Sequence, residues 1–174
     1  MPRPEREASG RAVISISIAT AYGDFTAHFS EYGLAELDFP GRDRKKIEPT
    51  TLVTEPIHCW ISLTQNTIAT ILCGREIDER PPLDLRAGTD FQQRVWKALC
   101  AIPFGETKSY GDIAREVGSP RGTRAVGMAC GANPIPLIVP CHRVVAAGGK
   151  LGGFSGGLDW KKRLLAIEER GLFR

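Results

Sequence analysis

Apolar and polar residues alternate from Val13 to Ile18, with Ile14, Ile16 and Ile18 on one side and Val13, Ser15 and Ser17 on the other, the period of two expected of a strand. Phe25 to Phe29 and Leu34 to Phe39 continue the pattern, and Tyr22-Gly23-Asp24 and Tyr32-Gly33 supply turn residues between the runs. Three short antiparallel strands are predicted. Residues 1–10 read as a disordered leader and Gly41 to Pro49 as a charged loop. From Glu55 to Cys73 the pattern predicts a helix, with Ile57, Ile61, Ile68 and Ile71 as core candidates, and Pro81-Pro82 then marks a linker. No internal repeat or low-complexity tract is visible.

Beyond the linker the helical signals sharpen. Thr89-Asp90-Phe91-Gln92 has the form of a capping box, and Phe91, Val95 and Leu99, with Trp96 and Ile102 beside them, recur at helical spacing until Pro103-Phe104-Gly105. Ser109-Tyr110-Gly111-Asp112 opens a second helix by the same logic, through Ile113, Ala114 and Val117. Gly118-Ser119-Pro120 breaks it, and a third runs from about Gly122 to Ala132. Two short helices joined by a Gly/Pro turn fit either a helix-turn-helix or an ordinary helical hairpin in a core. The third helix, Arg124-Ala125-Val126-Gly127-Met128-Ala129-Cys130-Gly131-Ala132, is poor in bulky side chains. Each internal glycine costs it about 1 kcal/mol relative to alanine, so close approach to something must offset the loss. A DNA groove and a neighbouring helix both satisfy that condition.

Composition narrows the class. Over 174 residues, 42% are apolar and 25% charged, the balance of a globular protein. No apolar run approaches the roughly 20 residues needed to span a bilayer, and Met1 to Arg11 lacks the apolar stretch of a secretory signal, so a cytoplasmic protein with no membrane partner is expected. The five cysteines, Cys59, Cys73, Cys100, Cys130 and Cys141, form no CxxC pair and are odd in number, which points to a reducing compartment and away from structural zinc. Charge is divided unevenly. Residues 1–85 hold 9 Lys/Arg against 13 Asp/Glu, a net −4, whereas residues 86–174 hold 14 against 7, a net +7. That asymmetry fits either a polyanion partner for the C-terminal half or an ordinary solvated surface.

One cysteine stands apart. After Asn133-Pro134-Ile135-Pro136 and the apolar run Leu137-Ile138-Val139 comes Pro140-Cys141-His142-Arg143-Val144. A cysteine after such a run is commonly a buried core residue. Positive neighbours, however, favour the thiolate, which is the nucleophile. On an extended chain Cys141 and His142 would point to opposite sides, so a working pair needs a bend or a bridging water.

Pro140-Cys141-His142-Arg143-Val144 resembles the active-site signature of the O⁶-alkylguanine-DNA alkyltransferases. Further matches follow in order: Phe91-Gln92-Gln93-Arg94-Val95-Trp96, Ile102-Pro103-Phe104-Gly105-Glu106-Thr107, Ser109-Tyr110, Arg124-Ala125-Val126-Gly127, Asn133-Pro134, and Ser155-Gly156-Gly157 before a last helix holding Glu168. The resemblance is dense over about 85–170 and thin over 1–85. It implies an α+β fold: a small antiparallel-sheet N-terminal lobe (1–85), then a mostly helical lobe (86–174) with a winged-helix-like helix-turn-helix that binds DNA and accepts the alkyl group.

The resemblance also implies roles. The target oxygen is stacked inside the duplex, so the nucleotide must be flipped out. Arg124 would fill the gap from the minor groove, on a helix whose Ala125, Gly127 and Cys130 face DNA. Cys141 is the nucleophile and His142 takes its proton through a water, with Glu168 orienting the imidazole in the manner of a cysteine–histidine–carboxylate relay. Tyr110 donates a proton to the departing guanine ring, and Asn133 fixes the turn carrying the cysteine. Val144, Ser155, Gly156 and Phe154 line the base pocket; Phe154 stands where some relatives have tyrosine. Some members hold zinc through N-terminal Cys and His residues, where this chain offers Ser30 and Ala35, so neither metal nor cofactor is expected. The implied reaction is a single, irreversible transfer from O⁶-alkylguanine, and from O⁴-alkylthymine, in double-stranded DNA by a monomer. The alternatives are a non-catalytic helix-turn-helix DNA-binding protein and a cysteine hydrolase. A related binding-only group has tryptophan in place of the cysteine, and Cys141 argues against it.

Overall fold

A computed structural model describes residues 14–41 and 55–172. Val13, the leader 1–10 and nearly all of the loop expected at Gly41 to Pro49 lie outside the described residues.

The alternating residues form strands β1 (Ile14–Ile18), β2 (Phe25–Ser30) and β3 (Gly33–Asp38), paired antiparallel in that order. Ile14, Ile16 and Ile18 sit opposite Phe29, Ala27 and Phe25, so one face of the sheet is continuously apolar. The other face carries Ser15, His28 and Asp38, and an irregularity at His28/Phe29 shifts the register of β2 against β3. Helix α1 (Glu55–Leu72) contacts β3. Ile57, Ile68 and Ile71 are buried as expected, but Ile61 is only partly so. Thr64 and Thr67 are buried as well, their hydroxyls donating back to the carbonyls of Trp60 and Leu63 at 2.7 Å. The Pro81-Pro82 linker runs beside β3: Leu34 N–H donates to Pro82 O, and Asp84 N–H to Leu34 O, both at 2.8 Å.

Helix α2 (Asp90–Cys100) begins at a complete capping box, Thr89 with Gln92. Strand β4 (Lys108–Ser109) leads into α3 (Tyr110–Glu116), capped by Ser109 and Asp112 in the same way. After the Gly118 turn comes α4 (Thr123–Gly131), with no side-chain cap. Its backbone is held from α2, where the Trp96 indole N–H donates to Ala129 O at 2.8 Å. Helices α3 and α4 pack on each other and on α2, as a helix-turn-helix requires. Strand β5 (Val144–Val145) pairs parallel with β4, and α5 (Leu158–Gly171) closes the chain.

The buried apolar residues form one cluster, running from Ile14 in the sheet to Leu164 in α5. Strand β3 also reaches the C-terminal half directly, since Leu37 N–H donates to Pro134 O at 2.9 Å. Among the described residues no helix is long and apolar enough to cross a membrane.

Candidate active site

The segment between α4 and β5 is a stack of tight turns clamped by one side chain. Asn133 Oδ1 accepts from Ile135 N–H at 3.0 Å, while its Nδ2 donates to Val139 O at 2.9 Å and to Cys141 Sγ at 3.2 Å. Inside that clamp Leu137 has φ 84°, among the described residues the one non-glycine with positive φ, and it is buried. A leucine tolerates that backbone only when its surroundings enforce it, which marks a rigid loop. Cys141–Arg143 then forms one turn of 3₁₀ helix. The chain therefore bends at Cys141 and His142, one of the two arrangements open to a working pair, and both side chains are buried.

Cys141 is 2% exposed. Burial pushes its thiol up to about 11, against the Asn133 amide, the positive charge of Lys161 and the Ser155 hydroxyl, which all favour the thiolate. The resting group is thus a thiol that needs a base. His142 is fully buried, and burial holds its imidazole below the ordinary value, so it is neutral near pH 7. Its Nε2 lies 2.8 Å from Glu168 Oε1, while Nδ1 is buried with no hydrogen-bond partner among the described residues. A carboxylate on Nε2 fixes the Nε2–H tautomer and leaves the Nδ1 lone pair as the base.

Glu168 is equally constrained. Arg143 donates to both its oxygens, at 3.0 to 3.1 Å, and Gly105 N–H donates to Oε2 at 3.0 Å. Burial pushes this carboxyl up, but the bonds and charges of His142 and Arg143 outweigh that and keep it below the usual carboxylate range. Arg143 is itself tied to Ile102 O at 2.6 Å, so the end of α2, the cysteine turn and α5 meet at one carboxylate.

Tyr110, the first residue of α3, donates its hydroxyl to Gly153 O at 3.4 Å. Burial raises its phenol, with the Cys130 and Cys141 thiols adding to the effect, so it remains a proton donor. Gly152 permits this approach: a Cβ there would lie 2.8 Å from the Tyr110 hydroxyl. Val144 is buried at the start of β5; Ser155 adjoins Cys141; Phe154 meets the His142 ring edge to face, with centroids 6.3 Å apart. Gly156 packs tightly enough that a Cβ would come within 2.6 Å of Phe154.

On α4, Arg124 and Ala125 are exposed and Gly127 partly so. Cys130 is a correction. It is 5% exposed and lies in the core, because it falls on the inner face of the helix with Val126 and Ala129. Burial, reinforced by Cys141, pushes its thiol up to about 12.

Sequence reasoning missed Lys161. Although it opens the basic run Lys161-Lys162-Arg163, it is fully buried, and its ammonium donates to Val144 O at 2.6 Å and to Gly153 O at 3.2 Å, tying β5 and the glycine-rich loop to α5. Its spacing from Leu164 and Glu168, three and seven residues on, was the available sign that it shares their inward face.

The fold and site thus define a helix-turn-helix protein with a buried thiol and, next to it in sequence, a carboxylate-oriented imidazole. Residues 90–170 match the family model described as the 6-O-methylguanine DNA methyltransferase DNA-binding domain. A methylated-DNA–protein-cysteine methyltransferase of Mycobacterium bovis is 63% identical over 87 residues, 50% of this chain and 52% of that protein. One from Methanosarcina barkeri is 58% identical over 85 residues, 49% of this chain and 54% of that protein. These matches span about half the length of the curated relatives. Solved structures extend the likeness. The O⁶-methylguanine methyltransferase of Mycobacterium tuberculosis superposes with a TM-score of 0.75 at 38% identity, covering 92% of this chain and 99% of that one. The OGT of the same organism in complex with DNA gives 0.74 at 40% identity, over 89% and 92%. The chain belongs to the O⁶-methylguanine DNA methyltransferase family.

Proposed function

We propose that this protein repairs alkylated guanine, and alkylated thymine, in double-stranded DNA by moving the alkyl group once and irreversibly onto Cys141. The observation that carries the reading is the buried His142, which follows Cys141 in one turn of 3₁₀ helix, with Nε2 on Glu168 and Nδ1 buried and unpartnered among the described residues. In the reaction, the Cys141 proton passes through a water to His142 Nδ1, and Glu168 stabilises the resulting charge. The sulfur–carbon bond forms as the carbon–oxygen bond to guanine breaks. The electron pair stays on the base and is neutralised by a proton from Tyr110, and the proton taken up by His142 then returns to the Tyr110 phenolate through solvent. The net products are S-alkylcysteine and guanine, and no metal or cofactor takes part.

Flipping the nucleotide is assigned to α4, with Arg124 filling the vacated stack from the minor groove and Ala125 and Gly127 letting the helix come close. The protein acts as a monomer in the cytoplasm. Its affinity rests on phosphate contacts and weakens with salt.

The test is incubation with O⁶-methylguanine duplex followed by peptide mapping: an adduct of about +14 Da on Cys141 is expected, one per molecule, with no turnover. Cys141→Ala abolishes transfer and leaves DNA binding intact. Binding without an adduct would make the protein a non-catalytic DNA-binding module, and repeated turnover on an ester or peptide would make it a hydrolase.

A further inference from the structure

We propose that Phe39, at the end of the N-terminal sheet, is a positioning residue that sets the depth of the alkyl pocket and the alignment of His142. This inference rests on the alkyl-transfer reading above.

The pocket loop between β5 and α5 contains four glycines with positive φ, Gly148, Gly149, Gly152 and Gly157, so its own backbone does little to fix its shape. Gly153 O, bonded to Lys161 and Tyr110, anchors one point. The next residues are held by packing. The Phe154 ring stands edge to face between two others: Phe39, with centroids 5.7 Å apart at 80°, and His142, 6.3 Å apart at 88°. Ser155 follows, close enough to Cys141 for its hydroxyl to favour the thiolate. Gly156 then lies against Phe39 again, since a Cβ there would come within 3.1 Å of the Phe39 ring as well as 2.6 Å of Phe154. The residues flanking the one nearest the reacting sulfur therefore both press on a single side chain from the N-terminal sheet.

Phe39 is well placed for this work. It is 3% exposed and wedged between Phe25, at 5.2 Å, and Trp160 of α5, at 4.8 Å. The same sheet grips the site a second time through Leu37 N–H on Pro134 O, one residue from the Asn133 clamp. The sheet contributes no reacting group, yet it backs both the cysteine turn and the pocket loop. A smaller residue at 39 would let the loop retreat, loosening the edge contact on His142 while enlarging the space for the alkyl group.

The experiment compares single-turnover transfer from duplexes carrying O⁶-methylguanine and O⁶-benzylguanine, using the full chain with Phe39→Leu, Phe154→Leu and the double substitution. Each protein is assayed well below its own unfolding midpoint. Phe39→Leu is expected to lower the saturating methyl-transfer rate constant about tenfold, the scale of a sub-ångström misplacement, while the half-saturating DNA concentration stays unchanged. Benzyl transfer falls less, so the benzyl-to-methyl ratio rises. Because Phe39 shares its hold on the loop with Phe154, the two losses are less than multiplicative: adding Phe39→Leu to Phe154→Leu slows transfer by less than Phe39→Leu does alone. An unchanged ratio, or losses that multiply in the double variant, would overturn the inference. A wild-type protein that transfers neither group would instead overturn the reading on which it rests.

Discussion

Among the described residues there are two buried histidine–carboxylate pairs, and they do different things. In the N-terminal sheet, His28 Nε2 lies 3.1 Å from Asp38 Oδ2, and its other nitrogen, Nδ1, is 2.7 Å from Ser15 Oγ. In the C-terminal half, His142 Nε2 lies 2.8 Å from Glu168 Oε1, and its Nδ1 is buried with no hydrogen-bond partner among the described residues. Serine, histidine and aspartate in line have the outline of a hydrolytic triad, so residue types and distances alone would favour the first pair. What distinguishes them is what each ring still has to give. Both His28 nitrogens are engaged, by residues of the two flanking strands, and the group ties the sheet together. His142 has one nitrogen engaged and one available, and it can move a proton.

The sharpest way to break the comparison is to remove each imidazole. His142→Gln should slow alkyl transfer by about 10²- to 10⁴-fold, the usual contribution of a positioned base. His28→Gln should leave the transfer rate within about twofold and cost about 2 kcal/mol in urea unfolding, since buried polar groups lose a partner. A His28 variant that is stable yet inactive would place the chemistry in the wrong pair.

The carboxylates give the next effect. Glu168→Gln leaves the partly buried Arg143 without its counter-charge and removes the group that fixes the His142 tautomer. Transfer should fall about 100-fold, with a loss of stability near 3 kcal/mol, read by the same two assays. Asp38→Asn should affect stability alone.

A pH titration sharpens the picture further. Burial holds His142 below its ordinary value of 6.5, so the base stays neutral through pH 7 and transfer should decline only at more acidic pH. Stability follows the same sign. His142 and Glu168 both bind protons more readily in the unfolded chain. Their contribution is complete above about pH 6.5 and is lost progressively as pH falls through that range and then through the carboxylate range. Urea midpoints measured between pH 8 and 5 should drop toward acid, and His142→Gln should flatten the upper part of that decline. The smallest effect belongs to Ser15→Ala, which should cost about 1 kcal/mol with no change in transfer, as expected of a structural hydrogen bond.

Much of this was readable along the chain because it depends on neighbours in sequence. The three strands follow from alternation, and the starts of α2 and α3 from Thr89 with Gln92 and Ser109 with Asp112, whose capping bonds close over three residues. The resemblance added Tyr110, Asn133, His142 and Glu168 around Cys141, and the structure brings these together. It places Cys130 in the core instead of on the outer face of α4, a distinction that small residue size could not make.

The sequence by itself determined the local elements, the uneven charge and the one cysteine flanked by a base and a cation. These are properties of short windows, in which periodicity and capping decide the outcome. Tertiary structure alone decided which histidine is left with a free nitrogen and that Lys161 is buried. It also decided that the chain bends at Cys141 and His142, and seated Phe39 behind a loop more than a hundred residues away. Each of those depends on groups distant in the chain meeting at bonding distance. A buried polar atom's character follows from the partners it has and lacks, and only the folded chain supplies that count.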